Sequence, residues 1–389
     1  MDKVRFGIVG CGNMGTGHAK NFLKGKIDNG YISAVCDVDA ERFGFFKENF
    51  GESIKYFTSA EEMFRSGECD AVIICTPHYI HPDLAILAMD AGLHCIVEKP
   101  AGVYTLQVKK MLERNKTNDK LLGIMFNQRT NPVFKKMREM VMNGSLGEIK
   151  RTNWIITNWY RTQDYYDSGS WRATWAGEGG GVLYNQAPHN LDLFQWIVGM
   201  MPTRVRAFCH FGKWHDIEVE DDVTCYCEYP NGATGIFITT TADAPGTNRF
   251  EITGTKGTLI MDYDPDTKEF NLFFRELLKD ERIHVLEGEG FKQPDRAPTV
   301  KIEIEGENTQ HTGICNNVAN AILGLEEIYA PAEDGIYGVQ LANAMLLSTW
   351  LNREVEIPFD DEMFYEELKK RIAISKPHEN VKKKVTPQD

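Results

Sequence analysis

No stretch of the 389-residue chain approaches the roughly 18 uncharged apolar residues that a membrane helix requires, so no α-helical membrane span is predicted. The first ten residues carry only a short apolar run before glycines, without the apolar core or small-residue cleavage site of a secretory signal. Internal repeats and low-complexity tracts are absent, and the ten histidines show neither H-E-x-x-H nor clustered ligand spacing, so no metal site is expected. Positive charge is in deficit: 43 Lys and Arg stand against 56 Asp and Glu, a formal charge of −13. That balance repels phosphate backbones and anionic membrane surfaces, which argues against nucleic-acid and membrane partners. The nine cysteines are odd in number and scattered, several of them in apolar runs, and read as reduced core residues of a cytoplasmic protein. Cys225 and Cys227 lie in an alternating stretch with no second pair at zinc spacing, which favours the core over a metal.

What is present is a chain 42% hydrophobic and 25% charged, long enough for two or three domains at about 150 residues each. The first third alternates strand-like runs (4–9, 32–36, 71–75, 94–97, 121–126) with helix-like segments (14–24, 40–49, 59–65, 82–91, 105–115). Repeated strand, helix, strand predicts a doubly wound parallel sheet over residues 1–123. Ser59 followed by Glu62 reads as a capping box. From 124 to 375 the strands lengthen and alternate (147–159, 204–212, 222–229, 234–241, 258–264), which predicts an α/β region on a large, mostly antiparallel open sheet. Gly254 and Gly257 mark a hairpin, a helix is expected over 184–197, and the tail 376–389 is expected to be mobile.

Gly10-Cys-Gly12-Asn13-Met14-Gly15 follows the first strand and opens a helix, so the glycines can make a tight turn and let backbone N–H groups approach a pyrophosphate. The second strand ends in Asp37, 22 residues after Gly15, where a carboxylate can accept from ribose hydroxyls. Strand, turn and acidic residue together predict dinucleotide binding. Asp37 followed by Val38 favours NAD, and a 2′-phosphate would meet the carboxylate, so NADP is disfavoured although Arg42 lies further on.

Two further clusters carry chemistry. Glu98-Lys99-Pro100 puts a lysine at the carboxyl end of a parallel strand, beside Thr76, Pro77 and His81 at the end of its neighbour, and these define a cleft next to the nucleotide turn. Gly179-Gly180-Gly181 leads into a predicted helix on which Asn185, His189, Asp192 and Trp196 would share one face.

On these motifs, together with Ile252-Thr-Gly-Thr-Lys-Gly257, the chain resembles the glucose–fructose oxidoreductase / inositol dehydrogenase / MocA family of NAD(P)-dependent oxidoreductases over essentially its whole length. The resemblance implies a Rossmann domain followed by an open-sheet α/β domain, with Lys99 and His189 facing the nicotinamide. Gly10, Gly12, Asn13, Met14, Gly15, Asp37, Thr76, Pro77, His81, Glu98, Lys99 and Gln128 are the expected cofactor residues. The family often has Asp where this chain has Asn185; an amide orients an imidazole without stabilising its charge, so the expected support for His189 is Asp192, with Lys99 carrying more of the proton chemistry as the alternative.

Oxidation of a secondary alcohol needs a base and a donor for developing alkoxide, roles expected of His189 and Lys99 in either order, with Asn185 beside them. Arg129, Trp154, Tyr160, Arg161, Trp171, Arg172 and Trp175 are the candidate substrate contacts, with His311 and Asn316 as further polar candidates; the aromatics serve equally well as core. The segment 165–181 looks like a branch of the family acting on sugars or glycosides, with C3 of a glycoside as the favoured position. The alternatives are a redox-neutral glycoside-cleaving enzyme that recycles bound NAD through a 3-keto intermediate, and a non-catalytic nucleotide sensor. An open sheet face predicts a homodimer or homotetramer.

Overall fold

The computed structural model describes residues 2–376, so the predicted mobile tail lies almost wholly outside the described residues. Six parallel strands, β1 (Val4–Val9), β2 (Gly30–Cys36), β3 (Lys55–Phe57), β4 (Ala71–Ile74), β5 (His94–Val97) and β6 (Leu122–Ile124), pair in the order β3-β2-β1-β4-β5-β6. Their near-continuous Val, Ile, Ala and Cys content suits a sheet buried on both faces by crossover helices. The order reverses between β1 and β4, and the crevice that such a reversal opens at the carboxyl ends of the strands is where ligands bind in open α/β sheets. Ser59 Oγ accepts the Glu62 N–H at 3.3 Å and caps the helix Ala60–Arg65, the serine half of the expected capping box. The short β3 had no counterpart among the expected strands, because three residues are too few to show a period.

The second sheet has nine strands: β7 (Ile149–Ile156), β8 (Arg204–Phe211), β9 (Glu220–Glu228), β10 (Thr234–Thr240), β11 (Asn248–Gly254), β12 (Gly257–Asp264), β13 (Glu269–Glu276), β14 (Val300–Lys301) and β15 (Val355–Glu356). Their order is β14-β13-β12-β11-β7-β10-β9-β8-β15, antiparallel throughout except where β7 meets β10. The β11–β12 hairpin closes at Gly254 and Gly257 as expected. Helices Pro132–Met142, Pro188–Trp196 and Gly335–Trp350 bury one face of this sheet. The other face leaves Ile155, Phe208, Tyr226 and Ile236 exposed. Cys225 and Cys227 are buried core thiols in β9, and all nine cysteines are free.

The helix Gln310–Ile322 returns to the first sheet, where Ile314, Cys315 and Val318 enter its core and Gly123 bridges Pro331. This return brings His311 to the mouth of the six-stranded sheet. The expected helix over 184–197 begins only at Pro188. A proline inside a helix removes one N–H and clashes with the carbonyl four residues back, so Tyr184 and Asn185 lie in the preceding turn. Asn185 and His189 therefore do not share a helical face.

Candidate active site

The glycine turn is shaped for a backbone approach. Gly10 has φ +96°, and a Cβ there would lie 2.6 Å from the Cys75 carbonyl; at Gly15 a Cβ would lie 2.0 Å from the Gly10 carbonyl. A Cβ on Gly12 would meet nothing within 4 Å, so the turn opens there onto the crevice. Gly12 caps the helix Asn13–Leu23 without a side-chain bond, leaving the first-turn N–H groups, including those of Asn13 and Met14, to point at a ligand with the positive end of the helix dipole. Asp37 is held beside this turn by the N–H groups of Cys11, at 2.8 Å, and Asp39, at 3.0 Å. Each carboxylate oxygen keeps a further lone pair for a hydroxyl. Arg42 instead points to Asp39, 3.8 Å away, on the exposed surface. Thr76 Oγ1, just past the end of the neighbouring strand and next to Pro77, is buried without a partner. Open glycine, free helix N-terminus, anchored carboxylate and orphaned hydroxyl fit a dinucleotide, whose pyrophosphate would be held by the turn at Gly12 and whose adenosine ribose would be held by Asp37.

Two expected cofactor residues have other work. Both ring nitrogens of His81 are taken by carbonyls, Thr76 at 2.7 Å and Pro100 at 2.9 Å, so His81 ties together the loops that follow β4 and β5. Glu98 forms a buried ion pair with His18, Oε1 to Nε2 at 2.8 Å, while its Oε2 accepts the Lys99 N–H. Burial opposes both charges; the contact with His18 nevertheless holds the Glu98 carboxyl down to about 2, and Cys315 and Glu98 hold His18 up to about 10. Cys75 lies close enough to make a possible ligand trio with this pair, but the imidazole and carboxylate are already spent on each other. Gln128 donates to Gln310 at 3.2 Å at the rim of the crevice.

Lys99 and His189 come from the two sheets and meet in one cleft. Lys99 Nζ donates to the backbone carbonyl of Asn185 at 2.9 Å. Burial lowers its pKa, opposed by Glu98 and Glu178 and reinforced by Arg172 and Arg161. His189 sits in the first turn of the helix Pro188–Trp196, with Nδ1 buried and unpartnered. Burial first, then the Lys99 charge and His311, keep its pKa well below the usual imidazole range, so it is neutral near pH 7. His311 lies at the same mouth, near the Asn127 amide, its own pKa lowered chiefly by burial.

Behind these groups Asn185 is clamped. Its Oδ1 accepts from Tyr165 Oη at 3.1 Å, and its Nδ2 donates to Glu178. Tyr165 in turn receives Arg172 at 2.9 Å and Gln186 at 3.3 Å. The Arg161 guanidinium lies 5.0 Å from the Tyr165 ring centre, and Arg172 lies 4.8 Å from that of Trp171. Trp171 meets His78 edge-on, and Tyr160 is exposed at the outer end of the same loop. Glu178 was not among the expected site residues; the one sign of it in the sequence is a carboxylate immediately before Gly179-Gly180-Gly181, in a motif otherwise read for its glycines.

Four expected contacts are corrected. Trp154 is fully buried, stacked on Phe250 at 4.5 Å with its Nε1 on Asn248, and is core. Trp175 packs between Phe211 and Trp350. Arg129 is a buried structural cation, held by Asp192 and Asp334. Asn316 bonds the backbone of Lys26 and Asp28, away from the cleft. Asp192, paired with Arg129, is consequently unavailable to His189, which it was expected to support.

A glycine-turn crevice at the switch point of a doubly wound sheet, beside a lysine and a neutral histidine, suits a nucleotide-dependent oxidoreductase. The chain belongs to the Gfo/Idh/MocA family: residues 4–126 match its "oxidoreductase family, NAD-binding Rossmann fold" and residues 134–260 its C-terminal domain. It is 28% identical over 266 residues, 67% of this chain and 75% of the relative, to myo-inositol 2-dehydrogenase of Thermotoga maritima. It is 24% identical over 91% of its length, and 99% of the relative, to an inositol 2-dehydrogenase of Rhizobium meliloti. Among solved structures, the WlbA dehydrogenase of Bordetella pertussis, in complex with NADH and UDP-GlcNAcA, has TM-score 0.74 at 24% identity, covering 92% of this chain and 100% of that one. Levoglucosan dehydrogenase, in complex with NADH and L-sorbose, has TM-score 0.75 at 20% identity, with coverages of 92% and 100%. Among the described residues no helix is long and apolar enough to cross a membrane.

Proposed function

We propose that the protein is an NAD-dependent dehydrogenase acting on a secondary hydroxyl of a sugar, glycoside or cyclitol, with C3 of a glycoside favoured. The observation that carries this reading is the meeting of Lys99 with the neutral, unpartnered His189 in the cleft beside the glycine turn. When bound, the nicotinamide ring supplies hydride transfer. His189 takes the hydroxyl proton, and the Lys99 ammonium donates to the same oxygen as charge develops on it. Asn185 and Tyr165 keep the lysine carbonyl partner in place. Arg161, Arg172, Trp171 and Tyr160 line the substrate side: sugar rings offer C–H faces to aromatic rings and hydroxyls to guanidinium donors. The relatives that act on inositol support this substrate class. A 2′-phosphate would meet the Asp37 carboxylate, and Arg42 is turned to Asp39, which favours NAD over NADP.

The chain divides in this reading into a nucleotide domain over 1–123 and a substrate domain over 124–375. The exposed apolar face of the second sheet, with Ile155, Phe208, Tyr226 and Ile236, is the surface for a homodimer or homotetramer, and nine free thiols agree with a cytoplasmic setting. Monomeric behaviour at micromolar concentration in light scattering would remove the oligomer from this picture.

His311 supplies a further titratable group at the same mouth, and this favours a second reading, redox-neutral cleavage of a glycoside through a 3-keto intermediate. The deciding experiment follows absorbance in the NADH band while protein and NAD meet a panel of free sugars, glycosides and cyclitols, with products weighed by mass spectrometry. Loss of two hydrogens with NADH formation supports the dehydrogenase; aglycone release without net NADH supports the second reading; neither, with NAD bound tightly, refutes both and leaves a sensor.

A further inference from the structure

Behind Lys99 an amide and a carboxylate stand in series. Position 185, which contacts the lysine through its carbonyl, carries an amide, and the carboxylate stands one hydrogen bond further back, on Glu178. Glu178 is buried. Its Oε2 accepts the Ala173 N–H at 2.6 Å and its Oε1 accepts from Asn185 Nδ2. Both oxygens accept from donors, which favours the ionised carboxylate; burial pushes its pKa up, and the Ala173 N–H, Arg172, Asn185 and Lys99 oppose that rise. Asn185 is oriented without ambiguity, because Tyr165 Oη, which already receives Arg172 and Gln186, donates to Oδ1.

We propose that Glu178 is a positioning residue that holds, one hydrogen bond behind Asn185, the negative charge that retains the proton on Lys99, and that charge and amide are exchangeable between positions 178 and 185. This rests on the dehydrogenase reading for its purpose but not for its test. The charged and titratable groups that act on Lys99 include Glu98 beside it, His78 and His81 from the loop after β4, Arg161, Arg172, Glu178 and His189 from the second sheet's side, and His311 from the returning helix. Two of these are acids, and Glu98 is spent on His18. Of the two, Glu178 is the acid not paired with His18, and its charge acts on Lys99.

The hydrogen-bond pattern makes the exchange specific. In the variant Glu178→Gln alone, an amide must satisfy two donors and turns its own NH2 toward one of them. With Asn185→Asp alone, two carboxylates face each other. In Glu178→Gln/Asn185→Asp, the new Gln oxygen keeps Ala173, its NH2 donates to the new Asp, and Tyr165 Oη still donates to position 185. Every contact survives, and only the charge has moved.

The test needs neither substrate nor cofactor. Full-length wild type, both single variants and the double variant are melted, and the pH midpoint of Lys99 acylation by acetic anhydride is read by peptide mass spectrometry. Each single variant is expected to melt about 3 °C or more below wild type, the cost of an unsatisfied buried group. Glu178→Gln is also expected to lower the Lys99 midpoint by about one pH unit. The double variant is expected to regain most of the melting loss and the wild-type midpoint. A Glu178→Gln midpoint equal to wild type, or a double variant whose losses merely add, overturns the proposal. If neither single variant folds, a soluble double variant supports the exchange and an insoluble one refutes it. Should the exchange succeed while no sugar on the panel is oxidised, the dehydrogenase reading fails and this one stands.

Discussion

Arg129 and Asp192 face each other through two hydrogen bonds, Nε to Oδ2 at 2.8 Å and Nη2 to Oδ1 at 2.6 Å, with both side chains 1% exposed. The pair ties the turn after β6 to the helix that carries His189, so it joins the two halves of the cleft. Removing one partner strands the other charge in low dielectric, which costs about 3–5 kcal/mol. Arg129→Met is therefore expected to lower unfolding stability by that order in denaturant titration, and Arg129→Lys to recover little of it, since a lysine cannot make the fork. A stable Arg129→Met protein that has lost only affinity for substrate would return Arg129 to the binding site.

Lys99 and His189 are expected to act on the reacting oxygen. Lys99→Met and His189→Ala should each cut kcat by about a hundredfold or more, with NADH binding in fluorescence titration unchanged. With the neutral imidazole as the proposed base and its pKa depressed by burial, the acid limb of the kcat/KM profile should fall below the ordinary imidazole pKa, with activity lost as the pH falls through it. An acid limb at or above that value would shift the role of base to Lys99.

The Asp37 carboxylate accepts the N–H groups of Cys11 and Asp39, so a substitution there removes the ribose acceptors and loosens the Cys11 end of the turn together. Asp37→Ser should weaken NAD by about tenfold, near 1.4 kcal/mol, and narrow its advantage over NADP. Equal affinities for both dinucleotides before and after the change would take Asp37 out of the ribose site.

The His18–Glu98 pair predicts a pH window for stability. Glu98, held down to about 2, contributes stability that is present above the ordinary carboxyl range and lost as the pH falls toward 2; His18, held up to about 10, contributes stability that is present below the ordinary imidazole pKa and lost as the pH rises toward 10. The melting temperature should decline from neutral pH toward 10 in the wild type, and this part of the decline should be missing in His18→Gln. Parallel curves for the two proteins would show that the pair does not carry the alkaline limb.

The sequence by itself determined the architecture, the glycine turn and the place of Lys99 at the end of a parallel strand. Alternating strand and helix periods specify a parallel sheet, the glycine spacing specifies a backbone turn, and Lys99 follows β5 in the chain; all of these are local properties that a one-dimensional pattern records. The tertiary structure decided everything that depends on which distant residue stands opposite. Arg129 and Trp154 carry the chemistry of ligand contacts and lie in the core, because Asp192, 63 residues away, and Phe250, 96 residues away, face them. Asn185 left its expected helical face because Pro188 delays the helix. Glu178 became visible only when a buried carboxylate was found aimed at the Asn185 amide. Burial and pairing are properties of three-dimensional neighbours, and the same side chain is ligand, bolt or charge reservoir according to which of them it meets.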